Sequence, residues 1–119
     1  MGYMRHNALV VSGSYSNYIN LAHARALELG MAVSGIVDSP SNGVKSFFIA
    51  PDGSKEGWDN SERGDECRQA FVGWLATQRY GDGSGPLDWV EIQYGDDERK
   101  TRVIAHSDQA AYRVAGKLA

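Results

Sequence analysis

Apolar residues recur along the first third of the chain with two different spacings. Residues 8–11 ("ALVV") are a short apolar run, which predicts a first strand. From residue 17 to 29 the apolar positions return every three or four residues, which predicts a helix that Gly30 ends. The small polar residues between them, "SGSYSN", suit a turn in which Ser16 or Asn17 caps the helix.

The middle of the chain alternates between β-rich and helical patterns. Residues 31–37 and 44–50 are β-rich, and Asn42-Gly43 between them favours a tight turn, so the two segments are predicted to pair as antiparallel strands. In "NSERGDECRQAFVGWLATQRY" the apolar side chains follow one helical stripe, which predicts a second helix. The preceding loop, "APDGSKEGWDN", is expected to lead into that helix with Asn60 or Ser61 as the cap.

The last third of the domain predicts a β-hairpin. In "LDWVEIQYG" the residues Val90, Ile92 and Tyr94 alternate with a second set, Trp89, Glu91 and Gln93. The second set is more polar, so it is expected to lie on the solvent-facing side of the strand. "DDERK" is expected to be a charged, solvated turn, and "TRVIAH" the returning strand.

This order of elements, β-α-β-β-α-β-β, predicts one α+β domain over residues 1–119. The expected architecture is a two-layer sandwich of two main helices on an antiparallel sheet of about five strands. Residues 107–119 are predicted to add a short C-terminal helix, capped by Ser107, that frays or packs at a subunit contact. Its apolar positions are Ala110, Ala111, Val114 and Leu118.

Composition narrows the possible functions. A chain of 119 residues with 42% hydrophobic and 23% charged residues is typical of one soluble domain. The net charge of -3 argues against a surface for duplex nucleic acid, although a small anionic ligand needs only a few local cations or backbone N–H groups. A single cysteine excludes an internal disulfide, and no apolar run approaches the 18 residues of a membrane span. We therefore expect a cytoplasmic protein that does not bind membranes.

Catalytic and metal chemistry find little support in the sequence. His6, His23 and His106 are scattered and lack the spacing of a zinc site, so no metal or cofactor is expected. Cys67 lies on the apolar stripe of the second helix, where a buried, inert thiol is the favoured interpretation. The turn "SGSYS" follows a strand and opens a helix, so Ser12 and Tyr15 are candidates for contact with an anion, although a plain capping turn is the more economical interpretation.

The aromatic residues favour binding over catalysis. Trp74 is a core residue by its helical position. Trp58 in a loop and Trp89 on the polar strand face are each expected to pack on a neighbouring subunit, a hairpin or a planar ligand. A nucleobase stacked on such a ring gains roughly 1–3 kcal/mol without any catalytic group. Trp58 is expected to pack as a lid on the sheet edge, with Lys55 beside it free to meet an anion.

Two stretches, "SFFIAPDGSKEGWDNSERGDECRQAFVGWL" and "DGSGPLDWVEIQYGDD", resemble a family of small phage proteins, the anti-CBASS sponges. The resemblance covers residues 7–106 and rests on the overall sequence pattern rather than on a catalytic motif. It implies a homo-oligomer, such as a tetramer, that works in the host cytoplasm and binds a cyclic dinucleotide alarm signal, for example cyclic GMP–AMP, near subunit contacts. It also implies a tryptophan stacked on a base, which maps onto Trp74. No basic cluster accompanies that residue, and Lys55 and Arg79 are the nearest cations in sequence.

Three hypotheses follow. The first is a non-catalytic protein that sequesters a cyclic nucleotide of a host defence, for which the candidate ligand-binding residues are Trp74, Tyr15, Ser12, Lys55, Trp58 and Arg79. The second is a protein–protein inhibitor of a host defence component, anchored by Trp58, Trp89 and the C-terminal tail. The third, ranked last because no general base can be named, is a small cyclic-nucleotide phosphodiesterase.

Overall fold

The computed structural model describes residues 4–80 and 85–108 and confirms the predicted α+β sandwich. Five strands form one antiparallel sheet in the order β2-β3-β1-β4-β5, and two helices complete the fold. The elements are β1 (His6–Gly13), α1 (Ser16–Glu28), β2 (Val37–Asp38), β3 (Lys45–Ile49), α2 (Asp59–Thr77), β4 (Asp88–Tyr94) and β5 (Arg102–His106).

The core lies between one face of the sheet and the two helices. The central strand β1 contributes Leu9 and Val11, which are fully buried. In the register of the sheet, Val11 lies between Phe47 of β3 and Trp89 of β4. The helices close this layer with the buried side chains Ile19, Ala22, Ala26, Phe71 and Leu75.

The predicted orientation of β4 is wrong. Trp89 is only 7% exposed and belongs to the core, so Trp89 and Glu91 face the helices while Val90 lies on the opposite face. Alternation alone cannot tell which face of a strand is buried, because both assignments have the same period of two. The polar Glu91 is accommodated on the inner face because Arg68 of α2 lies 3.5 Å from its carboxylate.

The turn between β2 and β3 forms as predicted, but the strand before it is much shorter than expected. Asn42 and Gly43 have positive φ angles of 61° and 65°, as the tight turn requires. The regular strand is confined to Val37–Asp38, so of the predicted segment 31–37 it includes Val37 alone, although Val33 forms a separate antiparallel bridge with Ile49. Upstream, the Ser34 hydroxyl accepts the backbone N–H of Phe48 at 2.8 Å, so a side chain takes a position that a backbone carbonyl fills in a regular ladder.

Both helices begin earlier than predicted. Tyr15 is the N-cap of α1, in place of Ser16 or Asn17, and Trp58 is the N-cap of α2, in place of Asn60 or Ser61. Neither cap residue makes a side-chain hydrogen bond to the helix. Gly30, with a φ of 76°, follows the end of α1 as predicted.

The turn between β4 and β5 is not wholly solvated. Asp96 is 6% exposed, and its carboxylate accepts the backbone N–H of Lys100 at 2.9 Å. Its other carboxylate oxygen lies 3.9 Å from Nε of Arg5. Asp96 therefore fixes the turn, in contrast to the predicted fully solvated turn.

The predicted C-terminal helix lies mostly outside the described residues. Ser107 and Asp108 have helical backbone, and residues 109–119 are not described. The Ser107 hydroxyl accepts the backbone N–H of Trp89 at 3.1 Å rather than serving only as a helix cap. The start of the C-terminal segment is thus tied to β4.

The sheet face opposite the helices, here called the open face, carries exposed apolar side chains. Val10 is 38% exposed and Phe48 is 40% exposed, and the two are paired across β1 and β3. Val37 and Val103 extend the exposed apolar surface toward the two edges of the sheet. Among the described residues, no helix is long and apolar enough to cross a bilayer.

Candidate functional site

A cleft of about 480 Å³ opens between the end of α1, the end of β3 and the first half of α2. We call it the interhelix cleft. Its apolar lining comes from Leu29, Met31, Ala32, Ile49 and Ala50, and its polar lining from Asp52, Asn60, Arg63, Cys67 and Arg68. An apolar lining with a few converging polar groups, in a volume between about 300 and 1,000 Å³, is typical of small-molecule sites.

Asp52 is fixed at one wall of this cleft. Its Oδ1 accepts both the backbone N–H of Ser54 at 2.9 Å and the Ser54 hydroxyl at 2.7 Å. The other carboxylate oxygen packs against Gly64, where an added Cβ would collide with it. Gly64, in the second turn of α2, weakens the helix but allows the Asp52 carboxylate to approach closely.

The opposite charge in the cleft comes from two arginines of α2. Arg68 is nearly buried and pairs with Asp65 one turn earlier and with Glu91 of β4, so its guanidinium is already held. Arg63 is exposed, and no ion pair or hydrogen bond of its side chain is found among the described residues. Arg63 is thus the cation of the cleft that is available to an anionic ligand, with the amide of Asn60 one turn away.

Glu91 of β4, the ion-pair partner of Arg68, has a carboxyl group with a raised pKa. Burial raises the pKa of the Glu91 carboxyl above its ordinary value of 4.5, and the nearby Asp65 carboxylate adds to the increase. The guanidinium of Arg68 opposes these effects but does not cancel them. Folding therefore favours the protonated form of Glu91 relative to the unfolded chain.

The raised pKa of Glu91 predicts a pH effect on stability. Because the folded protein binds this proton more tightly, stability is lost as the pH rises from about 4.5 through the raised pKa. We expect Glu91→Gln, which cannot ionise, to gain stability relative to the wild type over that range. Urea unfolding of both proteins at several pH values measures the difference.

The exposed Glu98, whose side chain is 66% exposed, provides the control for this measurement. Glu98→Gln removes a carboxylate from an exposed site, so it should change stability by only a small amount. If the difference between the wild type and Glu91→Gln were constant with pH, or of opposite sign, the assignment of Glu91 would be wrong.

A second, smaller cleft of about 230 Å³ lies at the N-terminus of α1, and we call it the α1 cleft. Ser12, Tyr15 and Tyr80 line it, and the side chain of Tyr15 is 58% exposed. The first turn of α1 holds no acidic residue, and the side chain of its N-cap residue, Tyr15, makes no capping hydrogen bond. The Asp88 carboxylate also lines this cleft and opposes an anion there.

The structure does not bring the six predicted ligand residues together. Ser12 and Tyr15 line the α1 cleft, whereas Lys55 and Trp58 lie at the N-terminal end of α2. Trp58 and Trp74 are both on or next to α2 and sixteen residues apart, which corresponds to about 24 Å along the helix. One small ligand therefore cannot contact both Trp58 and Trp74 of the same chain.

Three of the predicted residues have structural contacts of their own. Trp74 is partly buried and stacks on Phe71, with ring centroids 6.1 Å apart and planes 15° apart. Arg79 donates a hydrogen bond from Nε to the carbonyl of Ala76. Nζ of Lys55 lies 6.0 Å from the centroid of the Trp58 ring, at the limit of a cation–π contact.

The predicted lid role of Trp58 is wrong. The residue is 50% exposed, so it does not plug the sheet edge. Trp89, predicted to lie on the polar face of β4, is instead the tryptophan that is buried in the core. As a result, Trp89 is not available as an interface anchor.

The polar residues of the interhelix cleft were missed by sequence reasoning. Asn60, Arg63, Gly64, Cys67 and Arg68 follow a spacing of three and four along α2, so one side of the helix delivers all of them. That spacing was visible in the sequence, but Asp52 and the end of β3 reach the same place only through the tertiary fold. Cys67, predicted to be a buried thiol, is partly exposed and donates through Sγ to the carbonyl of Leu29.

Metal ligands do not converge in the part of the chain that the structure describes. There, no group of three or more His, Cys, Asp or Glu side chains is placed to hold an ion. His23, one of the three histidines, instead donates from Nε2 to the carbonyl of Ser34 at 2.8 Å.

No protein-family model matches the chain, and no curated protein sequence matches it. Among solved structures, the adenylyl cyclase CyaB from P. aeruginosa aligns with 98% of this chain and 74% of its own, at 16% identity and a TM-score of 0.24. A TM-score this low does not establish a shared fold.

Proposed function

We propose that the protein binds and sequesters a cyclic dinucleotide of a host anti-phage defence, without catalysis, as a phage immune-evasion protein. The observation that carries the proposal is the interhelix cleft, where an apolar lining meets the guanidinium of Arg63, which has no partner among the described residues. A cyclic dinucleotide combines planar bases with two anionic phosphates. These are the chemical features that such a lining complements.

Each side of the cleft has a part in this proposal. Arg63 and the amide of Asn60 donate to a phosphate, since a guanidinium forms strong, paired hydrogen bonds to phosphate oxygens. The Asp52 carboxylate accepts from a base amino group or a sugar hydroxyl. Leu29, Met31 and Ile49 cover the apolar faces of a base.

Sequestration sets a simple physical requirement. A sponge lowers the free ligand by mass action, so it must be abundant and bind tightly, but it need not turn its ligand over. We propose that a second subunit of a homo-oligomer, such as a tetramer, covers the cleft in the host cytoplasm. Trp74, Lys55 and Trp58 do not line the cleft of their own chain, so we propose that any ligand contact they make involves a neighbouring subunit.

Ligand uptake and release test the proposal. The protein is incubated with a panel of cyclic mono- and dinucleotides, including cyclic GMP–AMP, separated from free ligand, and heated to release what it holds. We expect at least one cyclic dinucleotide to be retained in near-stoichiometric amount and returned intact. A hydrolysed product would instead indicate the phosphodiesterase, and no uptake of any cyclic nucleotide would remove the sponge proposal.

A protein–protein inhibitor is the second candidate. The half-exposed indole of Trp58 favours it, because large exposed aromatic side chains are common anchors at protein interfaces. With Trp89 buried, Trp58 would have to serve this role without it. This candidate takes precedence if the uptake experiment finds no bound nucleotide.

A further inference from the structure

Arg68 connects the interhelix cleft to the partly buried Glu91. Nε of Arg68 lies 3.5 Å from the Glu91 carboxylate, and Nη2 donates to the carboxylate of Asp65. The side chain of Arg68 also lines the cleft. Only 11% of the Arg68 side chain and 12% of the Glu91 side chain are exposed, so water screens their charges weakly. One guanidinium is therefore shared by the cleft and the Glu91 carboxylate.

The third nitrogen of this guanidinium, Nη1, is the one nearest the cleft wall at Gly64. It lies 3.5 Å from the position that a Cβ on Gly64 would occupy, beside the Asp52 carboxylate, and both of these residues line the cleft. No hydrogen bond or ion pair of Nη1 is found among the described residues, whereas Nε and Nη2 face carboxylates. Because a guanidinium N–H is a strong donor to an oxyanion, Arg68 can contact an anion in the cleft while it keeps both carboxylate partners.

The charges around Arg68 depend on the protonation of Glu91. When Glu91 is ionised, Arg68 faces two carboxylates, and the group of three side chains is net negative. When Glu91 is protonated, the Asp65 carboxylate alone balances Arg68, so the group opposes an anion less. Asp65 and Arg68 of α2 are the charged groups that act on Glu91. Its partners across the sheet, Leu9 of β1 and Ala105 of β5, carry no charge.

We propose that an anion bound in the interhelix cleft and a proton on the Glu91 carboxyl stabilise each other through Arg68. The inference rests on the proposed function in taking the cleft as a site for a phosphate. An anion beside Nη1 uses the same positive charge that stabilises ionised Glu91, so a filled cleft makes the ionisation of Glu91 less favourable. Coupling between two sites is reciprocal, so the anion binds more weakly once Glu91 is ionised.

The proposal gives ligand binding a definite pH dependence. Burial already raises the pKa of the Glu91 carboxyl above its ordinary value of 4.5, and a bound anion raises it further. The affinity of the cleft for an anion therefore falls as the pH rises through the pKa of Glu91. Arg63 is exposed and distinct from this group, so its attraction for the anion does not depend on the Glu91 proton.

Sulfate is the probe for the first test, because it is an oxyanion that keeps its charge while carboxyl groups titrate. The titration of the Glu91 carboxyl is followed by carbon NMR in the wild-type protein, in sodium sulfate or in sodium chloride of equal ionic strength. Glu91→Gln identifies the resonance. We expect the pKa of Glu91 to be higher in sulfate than in chloride, and an equal pKa in the two salts would overturn the proposal.

Sulfate affinity provides the reciprocal measurement, read from the backbone amide shifts of α2. The wild type should bind sulfate about fivefold more tightly, or better, below the pKa of Glu91 than above it. Glu91→Gln, which keeps the neutral form, should bind with the same affinity at both pH values. A pH dependence that persists in Glu91→Gln would assign the effect to another group and contradict the proposal.

Two variants that each lose one positive charge locate the bound anion. Arg63→Met removes a cation from the cleft, whereas Arg102→Met removes one from β5, outside it. The effect of sulfate on the pKa of Glu91 should shrink in Arg63→Met and persist in Arg102→Met, and equal responses would place the anion outside the cleft and overturn the proposal. Since the probe is sulfate, failure here is distinguishable from failure of the proposed sequestration, which the uptake of cyclic dinucleotides decides.

Discussion

Replacing Trp89 with alanine is expected to lower the free energy of unfolding by about 3–5 kcal/mol. The indole is 7% exposed and packs in the cluster that joins β1, β3 and β4 to both helices. Its removal leaves a cavity that the rigid sheet beneath it cannot close, so the loss includes both hydrophobic transfer and missing contacts. Urea unfolding, followed by circular dichroism, measures the change.

Trp58→Ala is the matched control, because it removes the same side chain from a site that is 50% exposed. Its cost should be well below that of Trp89→Ala, since half of the ring never leaves water and a cation–π contact with Lys55 contributes only about 0.5–1 kcal/mol at an exposed site. Equal losses from the two variants would contradict the burial of Trp89. A larger loss at Trp58 would contradict its half-exposed position.

Trp89 is buried and Trp58 is half-exposed, the opposite of what the sequence predicted for them. The difference shows what a local sequence pattern cannot determine. Period-two alternation established that β4 is a strand but could not decide its inner face, and the charge of Glu91 favoured the wrong answer. The deciding contact is the ion pair between Glu91 and Arg68, residues that are distant in sequence. A polar group on the inner face becomes acceptable only when the fold supplies a partner.

Features set by neighbouring residues were predicted well. The Asn42-Gly43 turn requires two positive φ angles, which these residue types tolerate, and Gly30 follows the end of α1 for the same reason. The order of helices and strands followed from periodicity, and it led to the observed sandwich. The predicted strand over 31–37 forms only in part: Val33 and Val37 pair with the 44–50 segment as predicted, but the ladder is interrupted near Ser34, whose hydroxyl bonds to the backbone of β3.

The candidate site was the least predictable part. Its polar residues on α2 share one helical side, which periodicity could have revealed, but Asp52 joins them only because Gly64 allows it to approach. The residues selected from the sequence were prominent aromatic and cationic side chains near loops and helix ends. The fold places Ser12 and Tyr15 at the α1 cleft and the others near the two ends of α2, so they do not surround one cavity.

Replacing Arg63 with methionine is expected to weaken binding of the retained cyclic dinucleotide by about 10- to 150-fold. A hydrogen bond to a charged group contributes about 1.5–3 kcal/mol, and each 1.4 kcal/mol corresponds to a factor of ten in affinity. Methionine keeps the apolar stem of the side chain and removes the charge, so stability should change little at this exposed position. Titration calorimetry gives the dissociation constant, and thermal unfolding without ligand checks the fold.

Arg102→Met supplies the control for net charge. Arg102 is exposed on β5 and does not line the interhelix cleft, so the same change of one charge there should alter affinity by less than about twofold. Arg68→Met is unsuitable as a control, because it would leave the buried Glu91 carboxyl without its cation. If Arg63→Met bound as tightly as the wild type while Tyr15→Ala lost affinity, the ligand would belong in the α1 cleft, and the assignment of the interhelix cleft would fail although the proposed sequestration would stand.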